Sequence, residues 1–265
     1  MQHARSLEDN DKLITSERSS AAGYYLSARQ YPSGDAEIVA IKMGPDDRFK
    51  GGGAKRKNSD KKAMDDRTLN ESVRRARSTV RRKALTLLPD RLLTLTFREN
   101  LTDIDQAWTV FKYFCRLMRF RYGDRFCYIA VPEYQERGAV HFHLAIRGYY
   151  DVKIVRLLWR RAVGKLEGNI DITSPRRVCR KNSWNPKRIA AYLSKYITKS
   201  ETVDFNRRRF SSGGQIKIPD PIKGWVCLGV PIFAICRQVL DRLSRKQLEE
   251  HWEIDTFFNV TYLST

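Results

Sequence analysis

The stretch RFCYIAVPEYQERGAVHFHLAIRG, Arg125 to Gly148, decides the fold. Its first part, RFCYIAVPEY, is apolar, rich in aromatic and β-branched residues, and predicts a strand. QERGA then offers a glycine suited to a turn. VHFHLAIRG predicts a second strand, so the two halves make a β-hairpin. Residues i and i+2 of a strand share a face. His141 and His143 therefore project together, while Phe142 and Leu144 project the other way, toward a core. The whole chain has four histidines, and two of them share this face.

Working outward, LLTLTF (Leu92 to Phe97) alternates and predicts a strand. Between it and the hairpin lies DIDQAWTVFKYFCRLMRFRYG, with Trp108, Phe111, Phe114, Cys115 and Met118 at helical spacing. Asp103 is its expected N-cap and Gly123 its stop. After the hairpin, DVKIVRLLWRRAVGKL predicts a second helix capped by Asp151, and NIDIT a fourth strand. NPKRIAAYLSKYITK then opens with Asn185 as N-cap and Pro186 at the first helical position, a strong helix start. The order β-α-β-β-α-β plus a further helix predicts an α+β fold of the ferredoxin-like or RRM-like (RNA-recognition-motif-like) type. In that arrangement an antiparallel sheet carries its helices on one face and leaves the histidine face open.

The flanks read differently. Residues 1–85 are expected to form a basic, partly disordered N-terminal tail and linker. GPDDRFKGGGAKRKNSDKKAMDDR has no apolar period, although AAGYYLSARQY and AEIVAIKM are apolar enough to be ordered. The arginines of ESVRRARSTVRRK form either a solvated face or an arm on phosphates. The core domain is expected over 86–205, and a chain starting near Thr86 is expected to fold. Residues 206–265 are expected to be a C-terminal extension packed on that core, with IFAICRQVLDRLSRKQLEEHWEI as an amphipathic helix.

Composition narrows the partners. The chain holds 50 Lys and Arg against 30 Asp and Glu, a formal net charge of +20, which favours a polyanionic partner. The longest apolar run, WVCLGVPIFAIC, is too short for a membrane span, contains a proline and reads as core. No membrane partner is expected, and the N-terminus lacks the apolar region of a secretory signal. The five cysteines are scattered with no CxxC pair, which argues against a disulfide framework or zinc cluster. The expectation is an intracellular, reduced protein whose partner is nucleic acid.

Two imidazoles on one strand face make half of a metal site. Glu133, on the neighbouring strand of the hairpin, is the candidate third ligand, and Glu136, in the turn, is a possible substitute. A bare His-x-His also occurs where histidines merely pair with neighbours across a sheet. A second motif adds weight. Tyr192 and Tyr196 lie four apart on a predicted helix, on one face. Lys195 and Lys199 repeat that spacing, giving Tyr-x-x-Lys twice in tandem. A surface helix packed by one tyrosine does not explain the shared offset to lysine.

LLTLTF, VHFHLAI and YLSKYITK, in that order, resemble the HUH endonucleases that initiate rolling-circle DNA replication, most closely the two-tyrosine type of phages and plasmids. The resemblance covers roughly Arg91 to Lys199. The motif order differs from that of conjugative relaxases, and no G-x-x-x-x-G-K-[ST] for an attached helicase is present. The resemblance implies a divalent metal, Mn2+ or Mg2+, held by His141, His143 and Glu133. Two imidazoles suit manganese better than magnesium. It implies that Tyr192 or Tyr196 attacks a phosphodiester of single-stranded DNA at a replication origin, leaving a 5′-phosphotyrosine and a 3′-hydroxyl primer. Lys195 and Lys199 would favour the phenolate. Host polymerase and helicase are the implied further partners, in the cytoplasm of a bacterial host.

Asp171 to Phe210 carries 11 Lys and Arg against three acids. Arg176, Arg177, Arg180, Lys181, Lys187 and Arg188 are the candidate DNA contacts there. Trp184 reads as core, and Thr94 and Thr96 as ordinary strand residues. The competing reading is a non-catalytic, RRM-like single-stranded nucleic-acid-binding protein. Its RNP1 aromatics are expected on the third strand, where this sequence has histidines.

Overall fold

The computed structural model describes residues 14–15, 21–45, 47, 66–173, 186–198, 208–229, 231–244, 251–255 and 260–264. The chain divides into two compact units, Met1–Asp60 with Pro219–Thr265, and Lys61–Ile218. In chain order the elements are β1 (Gly23–Gln30), β2 (Ala36–Met43), α1 (Asp66–Leu87), β3 (Arg91–Phe97), α2 (Ile104–Tyr122), β4 (Tyr128–Tyr134), β5 (Val140–Ile146) and α3 (Val152–Val163). Then follow β6 (Gly168–Thr173), α4 (Pro186–Thr198), β7 (Ser211–Gly213), β8 (Ile222–Cys227), α5 (Ile232–Leu243), β9 (His251–Asp255) and β10 (Val260–Ser264). No described helix is long and apolar enough to cross a membrane.

The first unit is an antiparallel sheet in the order β8-β1-β2-β10-β9. Leu26 and Ala28 of β1 and Ala36, Ile38 and Ala40 of β2 alternate onto one face. They bury against Ile232, Ile235, Cys236, Val239 and Leu240 of α5, which follow a helical stripe. Residues expected to be tail and extension thus complete one core together. The part of the expected C-terminal helix from His251 to Asp255 is strand instead. Its ladder partner β10 outweighs local helix propensity.

The second unit holds the predicted core. Its sheet runs β6-β3-β5-β4-β7, all antiparallel, so the four predicted strands take the ferredoxin-like order. Both N-caps form as expected. Asp103 accepts from the backbone N–H groups of Asp105 and Gln106, and Asp151 from that of Lys153. Gly123 ends α2 at φ +57, a conformation glycine adopts without strain. Asn185 and Trp184 lie outside the described residues.

On one sheet face, Leu93, Leu95, Phe142 and Leu144 pack under α2 and α3. Phe142 stacks on Phe111 at 4.6 Å and meets Trp108 at 4.8 Å, which anchors the residue between the two histidines. Helices cover the other face as well, against expectation. Leu92, Ile129, Val131 and Ala145 bury under Ala76, Val80, Ala84 and Leu87 of α1 and Ile189, Ala190, Leu193 and Ile197 of α4. The boundary expected near residue 85 therefore falls earlier, and α1 belongs to this unit. Its arginines, so prominent in the sequence, ride on a helix whose opposite stripe is apolar.

Val80 is fully buried in that stripe. Val80→Asp is expected to lower stability by about 3 kcal/mol or more, because it buries an unpaired carboxylate. A chain starting at Thr86, without α1, is expected to lose cooperative unfolding. Urea denaturation checks both, and a Val80→Asp midpoint equal to the parent's would show α1 to be peripheral.

Candidate active site

Register places the site. In the ladders, His141 pairs with Glu133 of β4 and with Thr96 of β3. His143 pairs with Val131 and Thr94 in the same way. Cross-strand partners share a face, so both histidines, Glu133 and both threonines stand together. The face is not open: His141 is 7% exposed and His143 6%.

His143 is held on both ring nitrogens. Nε2 lies 2.7 Å from Glu133 Oε2, and Nδ1 lies 3.2 Å from Thr94 Oγ1. The pairing is consistent when Thr94 donates to Nδ1 and Nε2–H donates to the carboxylate. Thr94, expected to be an ordinary strand residue, thus orients a site histidine. Only the ladder register reveals this, since the two residues are 49 apart in sequence. Glu136, the alternative carboxylate, is exposed in the turn.

His141 differs. Its Nε2 is buried and without a hydrogen-bond partner. Burial first, and then His143, push its imidazole down to about 4, with Glu133 acting in the opposite sense. His141 is therefore neutral near pH 7, the form that ligates metal. The sign for stability follows. The unfolded chain takes up this proton near pH 6.5 and the folded one does not, so the fold loses stability as pH falls from about 6.5 toward 4. Histidine NMR titration in chelator is expected to place His141 near 4; an ordinary value near 6.5 would contradict its desolvation.

The donor set, two imidazoles and a carboxylate on adjacent strands, fits a divalent transition metal. The orphaned Nε2 of His141 is a buried polar atom that such an ion would satisfy. Among the described residues, no three His, Cys, Asp or Glu groups are already arranged around an ion. Glu133 and His143 are instead bonded to each other, so binding requires that hydrogen bond to open.

Helix α4 brings the tyrosines to the histidines. Ile189, Ala190, Leu193, Tyr196 and Ile197 are its buried stripe. Tyr196 stacks face to face on His143 at 4.4 Å and 13°. Tyr192 meets the same ring edge-on at 5.7 Å. The two phenols are not equivalent. Tyr196 is buried, 8% exposed, and donates its O–H to the Tyr192 oxygen at 2.6 Å. Burial first, and then that hydrogen bond, hold the Tyr196 phenol well above the ordinary tyrosine range. Tyr192 is half-buried.

Residues 90–201 match the family model of the replication-associated protein ORF2. The matched span takes in β3 through α4, and with them the histidines, Glu133 and both tyrosines. The similarity supports a replication protein of the initiator kind. No curated protein and no solved structure matches the chain.

Lys195 is exposed on α4, one turn from Tyr192. Lys187 is half-buried and Arg188 exposed in the first turn of the same helix. Lys199, Arg176, Arg177, Arg180 and Lys181 lie outside the described residues.

Proposed function

We propose that the protein is a nicking and joining initiator of rolling-circle replication, acting on single-stranded DNA through a covalent 5′-phosphotyrosine. The observation that carries this reading is the juxtaposition of Tyr192 and Tyr196 with the His143 ring, on the sheet face that also holds His141 and Glu133. A non-catalytic binder has no use for two phenols packed against paired, buried imidazoles. The similarity to replication-associated proteins agrees with it.

A Mn2+ or Mg2+ ion held by His141, His143 and Glu133 would neutralise and polarise the scissile phosphate. The chain's own residues supply the rest. Tyr192, the less buried phenol, is the first nucleophile. The O–H that Tyr196 donates is already directed at the Tyr192 oxygen, and such a bond strengthens when its acceptor becomes anionic. As the Tyr192 oxygen bonds to phosphorus, the bond to the 3′ oxygen breaks. The phenol proton passes to solvent, and the departing oxygen takes one up as the 3′-hydroxyl. The new phosphodiester retains the energy for rejoining. Thr94 keeps the His143 ring in position. Lys195, Lys187 and Arg188 serve the phosphate backbone, the salt-sensitive part of binding.

The test is attachment. The protein, a randomised single-stranded DNA library and manganese should yield a protein–DNA adduct that survives denaturant, with the DNA joined by its 5′ end. Binding without any adduct would favour the RRM-like module instead.

A further inference from the structure

A cleft of about 900 Å3 opens on the same sheet face, with His141, Thr96 and Asn169 in its lining. Arg98, Arg137, Arg160 and Gln135 also line it. Its size is that of a site for one small ligand. Three guanidinium groups face one carboxylate, Glu167, which is ion-paired with Arg98. His141 adds no charge near neutral pH, because burial holds its imidazole neutral. The lining is thus net cationic and also offers two amide side chains, a combination suited to a nucleotide: phosphate for the guanidiniums, base edge for the amides. The cleft is a built feature. A Cβ on Gly168 would lie 2.5 Å from the Thr96 carbonyl oxygen and 2.6 Å from Trp159 Nε1, so only glycine permits β6 to close its wall.

Its position relative to the tyrosines gives it a direction. Along β5, Ala145 is covered by α1 and α4, His143 is stacked on Tyr196, and His141 lines the cleft. Along β3 the same progression holds: Leu92 is covered, Thr94 bonds to His143, and Thr96 and Arg98 line the cleft. Nucleophile and cleft therefore lie on opposite sides of the histidine pair. In phosphoryl transfer the attacking and leaving oxygens stand roughly in line across phosphorus. A phosphate at the histidines, attacked from the α4 side, expels its leaving oxygen toward the cleft.

We propose that this cleft holds the nucleotide on the 5′ side of the cut, whose sugar carries the leaving 3′ oxygen, and that Arg160, Arg137 and Asn169 recognise it. The assignment rests on the nicking reading above. It makes base choice immediately 5′ of the cut a property of the cleft, and it retains the 3′-hydroxyl end there for rejoining.

The test uses the full chain with manganese and a library of single-stranded DNA randomised around its centre. Both ends are sequenced: the fragment attached to protein, and the released fragment ending in a 3′-hydroxyl. Arg160, Arg137 and Asn169 are exposed, so Arg160→Ala, Arg137→Ala and Asn169→Ala should unfold thermally like the parent. In these variants the base preference at the one or two positions 5′ of the cut should weaken about fivefold or more. The preference on the 3′ side should stay as in the parent. An altered 3′ side, or preferences unchanged on both sides, would overturn the cleft assignment while leaving nicking intact. A parent protein that cuts nothing would overturn the nicking reading, and this assignment with it.

Discussion

Tyr192→Phe should abolish the covalent adduct of the first cleavage, a loss of roughly four orders of magnitude or more, as expected for removal of a nucleophile. Phenylalanine is the informative substitution because it keeps the ring against His143 and removes only the attacking oxygen. Tyr196→Phe should behave differently. It keeps the stack on His143 and removes the hydrogen bond donated to Tyr192. A hydrogen bond to a charged group is worth about 1.5–3 kcal/mol, so first cleavage should slow by about ten- to a hundredfold. The same variant should fail to recut and rejoin in one cycle, since the second phenol is gone. Peptide mass spectrometry of the adduct decides the order of attack. First-turnover DNA found on Tyr196 would reverse it. DNA on Tyr192 alone, with Tyr196→Phe rejoining normally, would leave Tyr196 a purely structural residue.

Loss of the histidine pair should be equally severe for chemistry and nearly silent for binding. His143→Ala and His141→Ala should each abolish cleavage, as should chelator added to the parent. Affinity for single-stranded DNA should hold, because it rests mainly on Lys and Arg neutralising phosphates. Both substitutions also open buried space, so thermal unfolding must accompany the assay. Glu133→Gln is the gentler probe: it keeps the shape and removes the charge. It should eliminate activity, whereas Glu136→Gln, in the exposed turn, should not. Thr94→Val should lower manganese affinity by about tenfold through the orientation of His143. Cleavage by a His141, His143 double variant in chelator would exclude the metal site.

Much of this was legible in one dimension. Period-2 alternation in β3 and β5, the Asp103 and Asp151 caps and the Gly138 turn are local signals, and they define the ferredoxin-like core. The face shared by His141 and His143 follows from the two-residue repeat of a strand, and the face shared by Tyr192 and Tyr196 from the helical one. Both motifs therefore came from the chain without its partners.

What tertiary structure alone decided depends on residues far apart in sequence. The pairing of Thr94 with His143 and of Glu133 with His141 is a matter of ladder register, which no local period encodes. The N-terminal strands β1 and β2 find their helix, α5, near the other end of the chain, so each looked like an unattached flank. Helix α1 was hidden by its arginines. Its buried residues Ala76, Val80 and Ala84 are small and gain their meaning only from α4 opposite. The difference between the tyrosines is of the same kind. Their sequence contexts match, each followed three residues later by lysine, but helix packing buries one phenol and turns its O–H toward the other. Desolvation and hydrogen bonding belong to the environment rather than to the residue, and the environment exists only once the helix has docked on the sheet.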